Sequence, residues 1–70
     1  MEPSLDKQFA AFIRKKRGEI TYQEFARKVG LTKSSLHRIE QGEQSITLRN
    51  LEVVLKRLKC KVKDVFKEGN

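Results

Sequence analysis

Apolar residues along the chain recur at the three- and four-residue intervals of an α-helix, and no stretch shows the two-residue period of a β-strand. The first group contains Leu5, Phe9, Phe12 and Ile13, and Gly18 follows it. This group predicts a helix that starts near residue 4 or 5 and stops at Gly18. Later groups predict helices at about residues 22–29, 33–41, 48–59 and 62–66. The pattern therefore predicts an all-α domain of five short helices around one core, with that core at about residues 5–66.

Three of these helices begin with the same local pattern, a threonine preceded by an aliphatic residue. Thr21, Thr32 and Thr47 can each accept a hydrogen bond from a backbone N–H of the first turn. The aliphatic residue before each threonine can pack on the apolar residue five positions further along. Glu24 follows Thr21 at the spacing of a capping box. The repeated pattern defines the three helix starts more sharply than residue preferences would.

The apolar positions of the last two helices predict which sides face the core. The predicted inward residues are Leu48, Leu51, Val54, Leu55 and Leu58 in the fourth helix and Val62, Val65 and Phe66 in the fifth. Residues 62–66 either close the core or also build a surface for a second copy of the chain.

The second and third helices are separated by the short turn Val29-Gly30-Leu31. Gly30 can adopt the left-handed conformation that ends a helix. Leu36 and Ile39 place an apolar side on the third helix. Two short helices joined in this way form the helix-turn-helix of DNA-binding proteins. The chain therefore predicts this motif at about residues 21–42.

The third helix is polar on the side opposite its apolar residues. At the angular step of an α-helix, five side chains fall within an arc of about 140°. They are Lys33, Ser34, His37, Arg38 and Gln41. Such groups match the donors and acceptors on base edges in the DNA major groove. Arg38 could bind guanine bidentately, Lys33 a base or a phosphate, and Gln41 adenine or the backbone. The alternative is that this side of the helix is an ordinary solvated face. His37 is either a DNA contact or simply an exposed residue.

Other candidate contacts lie around this helix. Tyr22 and Gln23 stand at the start of the second helix, where free N–H groups suit a phosphate. Ser35 is short enough to let the third helix approach DNA closely. In the following loop, Gln44 or Ser45 could add a backbone contact.

Glu40 lies beside the apolar side of the third helix. It is either an inward carboxylate paired with Arg14 or Arg17, or an ordinary surface glutamate.

Charge and composition narrow the class of protein. The net charge of +7 and the pI of about 9.9 favour a polyanionic partner, either nucleic acid or an anionic membrane surface. Part of the charge lies in a basic stretch that either attracts DNA or is simply solvated: Lys56, Arg57, Lys59, Lys61 and Lys63. The apolar runs are shorter than the roughly 20 residues of a membrane span, and the N-terminus lacks a signal-peptide pattern. We therefore expect a soluble, cytoplasmic protein.

Cysteine and histidine usage exclude further classes. The single cysteine, Cys60, and the single histidine leave no internal disulfide and no structural zinc site within one chain. Cys60 is either a small apolar residue at the edge of the core or a reactive thiol between Lys59 and Lys61. No nucleophile–base pair, paired acids or phosphate loop is present. We expect neither catalysis nor a cofactor or metal.

The motif residues resemble a known family. The pattern is Phe25-Ala26-x-x-Val29-Gly30-Leu31-Thr32-x-Ser34-x-Leu36-x-x-Ile39-Glu40-x-Gly42, then Leu48-x-x-Leu51 and Leu58. It is similar to the Cro/phage-repressor (Xre-type) helix-turn-helix family, over about residues 9–66. Ala26, Gly30, Leu36 and Ile39 hold that family's structural positions.

The resemblance implies a lambda-repressor-like five-helix fold and homodimers on two-fold symmetric operators. It implies base contacts from Lys33, Ser34 and Arg38, to which the polar face adds His37. Backbone contacts are expected from Tyr22, Gln23, Thr32, Ser35, Gln41 and Gln44. Tyr22 departs from the family, which often has a phosphate-binding glutamine there.

The sequence thus predicts a sequence-specific DNA-binding transcriptional regulator that acts on double-stranded DNA as a homodimer. The main alternative is an antitoxin or protein-interaction module on the same fold, with a protein partner and secondary DNA binding. A nonspecific nucleic-acid or RNA binder is less favoured, because RNA readers usually stack bases on exposed aromatic side chains. Here four of the five aromatic residues are phenylalanines at core-like spacings.

Overall fold

A computed structural model describes residues 4–66. The helices are α1 (Leu5–Arg17), α2 (Tyr22–Val29), α3 (Lys33–Glu40), α4 (Leu48–Leu58) and α5 (Val62–Val65). The five predicted helices are confirmed, and the last three end one residue earlier than expected. No strand occurs between residues 4 and 66. Residues 1–3 and 67–70 of the predicted single domain lie outside the described residues.

Threonine caps begin α2, α3 and α4, as predicted. The hydroxyls of Thr21, Thr32 and Thr47 each accept a backbone N–H three residues further on, at 3.1 Å. The Glu24 carboxylate accepts a hydrogen bond from the Thr21 hydroxyl at 3.2 Å. A full capping box would instead place that carboxylate on the Thr21 backbone N–H. The helix starts are thus set by contacts between residues close in sequence.

The core lies where α1, α2, α3 and α4 meet, and α5 closes it against α1. Its buried apolar residues are Phe9, Ala10, Ile13, Phe25, Ala26, Val29, Leu36, Ile39, Val54, Leu55 and Val65. The Phe66 ring stacks on Phe9, with centroids 6.5 Å apart. Cys60 is half-buried at the edge of this core, and its thiol donates to the Leu58 carbonyl oxygen at 3.4 Å. The interpretation of Cys60 as a small residue at the core edge is therefore confirmed.

The prediction that Leu48 and Val62 face the core is wrong. Leu48 is 84% exposed and Val62 is 56% exposed. Leu5 shares the apolar spacing of α1 but is also exposed. Each is the first residue of its helix, and a first turn can project beyond the neighbouring helices. Periodicity identifies the side of a helix that faces inward but not how far the neighbouring helix extends along it.

Among residues 4–66, no helix combines the length and the apolar character needed to cross a bilayer.

Candidate nucleic-acid interface

The third helix divides into a buried and an exposed side. Leu36 is fully buried and Ile39 is 3% exposed, so one side of α3 is held in the core. Exposed side chains cover the opposite side: Lys33, Ser34, His37, Arg38 and, just after the helix, Gln41. All five predicted side chains are thus exposed, as their angular spacing indicated. The face presents the basic side chains of Lys33 and Arg38 beside the hydrogen-bonding groups of Ser34, His37 and Gln41.

The start of α3 is fixed by its cap. The Thr32 hydroxyl accepts the Ser35 N–H at 3.1 Å, and Ser35 is half-buried. Lys33 and Ser34 occupy the exposed first turn, whose backbone N–H groups lack partners within the helix. Such a turn can approach a phosphate or a base edge closely.

The end of α3 is anchored to α1 by ion pairs. Arg17 donates from Nε to Glu40 Oε2 at 2.9 Å and from Nη2 to Glu40 Oε1 at 2.8 Å. Arg14 donates from Nη2 to the Glu40 backbone carbonyl at 2.9 Å and brings its Nε within 3.8 Å of Oε1. Glu40 is only 1% exposed. Of the two arginines left open by the sequence, Arg17 forms the bidentate pair and Arg14 holds the helix end.

The pair changes the acidity of both groups. Hydrogen bonds from Arg17 hold the pKa of the Glu40 carboxyl below its usual value, against the opposing effect of burial. The same hydrogen bonds raise the pKa of the Arg17 guanidinium above its usual value. Both charges are therefore maintained at neutral pH, and α3 is held at a fixed angle to α1.

Tyr22 lies between this ion pair and the exposed side of α3. Its hydroxyl donates to Glu40 Oε1 at 3.2 Å. The Arg17 guanidinium lies 4.0 Å from the centre of its ring. The His37 ring meets it edge-on, with centroids 5.2 Å apart and an interplanar angle of 71°. Tyr22 therefore packs against α3 through contacts with both Glu40 and His37.

Two further predicted backbone-contacting residues, Gln23 and Gln44, lie on the segments that come before and after α3. Gln23 is exposed at the start of α2, and Gln44 is half-buried in the loop between α3 and α4. In the same loop, the Ser45 hydroxyl donates to the Asp6 carboxylate at 2.7 Å. The proton of that hydroxyl is therefore used within the protein, and Gln44 is the better candidate of the two for a DNA contact.

Arg57 contacts the helix-turn-helix motif, although it lies outside residues 21–42 in the basic stretch described above. Its Nη1 donates to the Arg27 carbonyl oxygen near the end of α2, at 3.5 Å. A Cβ at Gly30 would lie 3.3 Å from Arg57 Nε and 3.3 Å from Val53 Cγ1. Gly30 has φ +82°, so this turn needs glycine for its conformation and for the close approach of α4. No local signal in the sequence indicates this contact.

A shallow apolar groove runs along α4 to the start of α5, with Leu48, Leu51, Leu55 and Val62 among its lining residues. Its rim carries both signs of charge: Arg49, Lys56 and Lys61 against Glu52. The exposed Leu48 and Val62 belong to this groove.

Among residues 4–66, no cluster of side chains could hold a metal ion. The structure is a small helical domain with a helix-turn-helix and a polar, cationic face on the second helix of that motif. This combination defines the class of DNA-binding regulators. A model of the helix-turn-helix family matches residues 12–65. The chain belongs to that family, in its Cro/phage-repressor (Xre-type) form. Searches among curated proteins and among solved structures found no match.

Proposed function

We propose that the protein is a sequence-specific transcriptional regulator that binds an operator as a homodimer in the cytoplasm. It acts by occupying DNA and requires no catalytic step, cofactor or metal. The observation that carries this proposal is α3 itself. One side is fully buried and its end is tied to α1 by Arg17, while the other side exposes Lys33, Ser34, His37 and Arg38. A helix held this rigidly can present a fixed pattern of donors to the major groove.

In this proposal Lys33, Ser34, His37 and Arg38 face base edges. Arg38 is the strongest candidate for guanine, because its fork matches O6 and N7. The residues around the face contact the sugar–phosphate backbone and set the register of the helix. They are Gln23, Thr32, Ser35, Gln41 and Gln44.

A second copy supplies the symmetric half of the site. Leu48 and Val62 expose apolar surface that a partner copy would cover, and the mixed charges of the groove rim allow ion pairs across a two-fold axis. We infer that the groove is the dimer surface. Binding-site selection from random DNA tests the whole proposal. The expected result is an inverted repeat with half-sites about one helical turn apart. A library that emerges without any enriched motif would contradict it.

The same groove supports a second candidate, an antitoxin or protein-interaction module. In that case the exposed Leu48 and Val62 would be covered by a different protein, and DNA binding would be secondary. Co-expression with the product of the adjacent gene, followed by purification of the tagged chain, distinguishes the two. A stable complex that buries Leu48 favours the second candidate, and a homodimer with a selected operator favours the first.

A further inference from the structure

Tyr22 occupies the first position of α2, where the sequence predicts a ligand for DNA phosphate. The structure places the side chain differently. It is half-buried, and its hydroxyl donates to Glu40 Oε1 at 3.2 Å. A phenol has one proton to donate, and a phosphate oxygen can only accept. With that proton on Glu40, the Tyr22 hydroxyl offers a phosphate only lone pairs.

The ring of Tyr22 is also engaged. The Arg17 guanidinium lies 4.0 Å from its centre, and Arg17 itself is fixed by two hydrogen bonds to Glu40 and one to the Ile20 carbonyl oxygen. A tyrosine side chain has two main torsion angles, and these contacts at both its hydroxyl and its ring fix both. Tyr22 is therefore a rigid platform at the edge of the core.

His37 lies against this platform. The two rings meet edge-on at 5.2 Å, and His37 is exposed on the side of α3 that carries Ser34 and Arg38. An exposed histidine ordinarily samples several rotamers, whereas an aromatic contact restricts it. A neutral imidazole offers one donor and one acceptor, either of which can meet a base edge.

We propose that Tyr22 is a positioning residue that holds His37 toward a base edge and does not itself bind phosphate through its hydroxyl. The inference rests on the proposed DNA-binding function of α3. It links the pair of half-buried Arg17 and buried Glu40 to one particular reading position. It also gives a physical reason for an aromatic residue where the family often has glutamine.

The contact can be tested without DNA, because the chain contains a single histidine whose imidazole signals identify themselves by NMR. In the wild type, the Tyr22 ring current should displace these signals from the positions of an unstructured histidine. Tyr22→Phe keeps the ring and should retain the displacement, whereas Tyr22→Gln should remove it. Tyr22→Leu, which keeps the bulk but not the ring, serves if Tyr22→Gln fails to fold. Unchanged histidine signals in both ring-less variants would overturn the inference.

The consequence for DNA is measured on the selected operator and on random DNA. Tyr22→Leu and His37→Ala should each weaken operator binding about tenfold, with less than about a twofold change on random DNA. The double variant should be within about twofold of either single variant, because both changes remove one reading contact. Tyr22→Phe should stay close to the wild type.

The alternatives give different patterns. If Tyr22 binds phosphate through its hydroxyl, Tyr22→Phe weakens binding to operator and random DNA alike. The slope of log affinity against log salt concentration then falls in magnitude by about 1. If the fold-losses in operator affinity of the two single variants multiply in the double variant, Tyr22 and His37 act independently. The positioning role of Tyr22 is then wrong, while the proposed function stands. If selection from random DNA enriches no sequence, the proposed function is overturned. Displaced histidine signals would still establish the Tyr22–His37 contact in that case.

Discussion

Arg38 shows what a single side chain on the exposed face contributes. It is exposed, it follows His37 directly, and it lies one residue before the buried Ile39. Its backbone is therefore fixed by the core while its guanidinium is free to meet DNA. A guanidinium has a planar fork that matches the two acceptors of guanine, whereas a lysine ammonium does not.

Arg38→Ala should cost about 1–3 kcal/mol of binding free energy on the selected operator and relax the preference at one base pair. Arg27→Ala is a matched control, because Arg27 is also an exposed arginine but lies on α2 instead of α3. The control should affect operator and random DNA equally. Titrations of both variants on both DNAs measure the difference. Equal losses for Arg38→Ala on the two DNAs would exclude its base-reading role.

Gly30 and Gly42 both have left-handed backbone conformations, but only Gly30 has close neighbours, so the two sites distinguish the cost of backbone strain from the cost of crowding. Their φ angles are +82° and +78°. A Cβ at Gly30 meets Val53 and Arg57 at 3.3 Å, whereas nothing lies within 4 Å of one at Gly42. Gly42→Ala should therefore lose about 1 kcal/mol of unfolding free energy from left-handed strain alone. Gly30→Ala should lose about 1 kcal/mol more, because Val53 must shift. Equal losses in urea denaturation would show that the close approach does not matter.

The choice between Arg14 and Arg17 shows where residue-level prediction ends. Both lie in the last turn of α1, and their three-residue spacing puts them on neighbouring positions of the helix. The side chain that reaches Glu40 depends on how α3 crosses α1. That crossing is decided by packing of side chains distant in sequence, so helical spacing alone leaves both arginines open.

At the scale of elements, α3 is held by contacts at both ends as well as along its apolar side. Thr32 caps its start, and Arg14 and Arg17 bind its last residue, Glu40. The core contacts restrict movement away from α1 and α2. The ion pair restricts rotation about the helix axis, because its bidentate geometry tolerates little displacement.

Glu40→Gln should lower the unfolding free energy by about 3 kcal/mol at neutral pH, because it leaves the Arg17 charge without its partner. The pKa of Glu40 lies below its usual value of 4.5. Its stabilisation is therefore present above pH 4.5 and is lost as the pH falls through the lower folded pKa. The gap between wild type and variant should narrow below pH 4.5 in urea denaturation.

The exposed neighbour Glu43 provides the control for that measurement. Glu43→Gln should change the unfolding free energy by less than about 0.5 kcal/mol. A gap between wild type and Glu40→Gln that stays constant down to acid pH would show that the charge of Glu40 does not stabilise the fold.

Helix positions could be predicted from the sequence because their signals are local. Each threonine cap joins residues three apart, and each apolar stripe belongs to one helix. The exposure of Leu48 and Val62 could not be predicted, because it depends on where neighbouring helices end. In the candidate site, the polar face of α3 was predictable from angular spacing. The contacts of Arg57 with the turn and of Tyr22 with His37 were not, because they join different helices.

At the scale of the whole molecule, the backbone of one copy extends over 35 × 24 × 23 Å. Half-sites one helical turn apart are separated by about 34 Å, so two such copies fit side by side on one face of DNA. The net charge of +7 per chain favours approach to DNA and opposes self-association in its absence. The apolar groove with its mixed-charge rim would offset that repulsion.

If the proposed dimer forms through the groove, Leu48→Asp and Val62→Asp should each shift it to monomer, because each places a charge in the apolar groove. Both residues are largely exposed in one copy, so folding measured by circular dichroism should be nearly unchanged. Ala11→Asp, an exposed position on α1, is the control and should leave the dimer intact. Sedimentation reports the mass. A Leu48→Asp protein that remains dimeric would place the interface elsewhere.

The threonine caps that open α2, α3 and α4 also have a kinetic consequence. Each cap closes a contact across three residues, so three helix starts can form before any distant parts of the chain meet. Helical domains dominated by such short-range contacts fold within about microseconds to milliseconds. A chain that refolds so quickly spends little time with Phe9 and Phe25 exposed to other chains. Temperature-jump relaxation would measure the rate, and replacing Thr47 by alanine should slow folding if the start of α4 forms early.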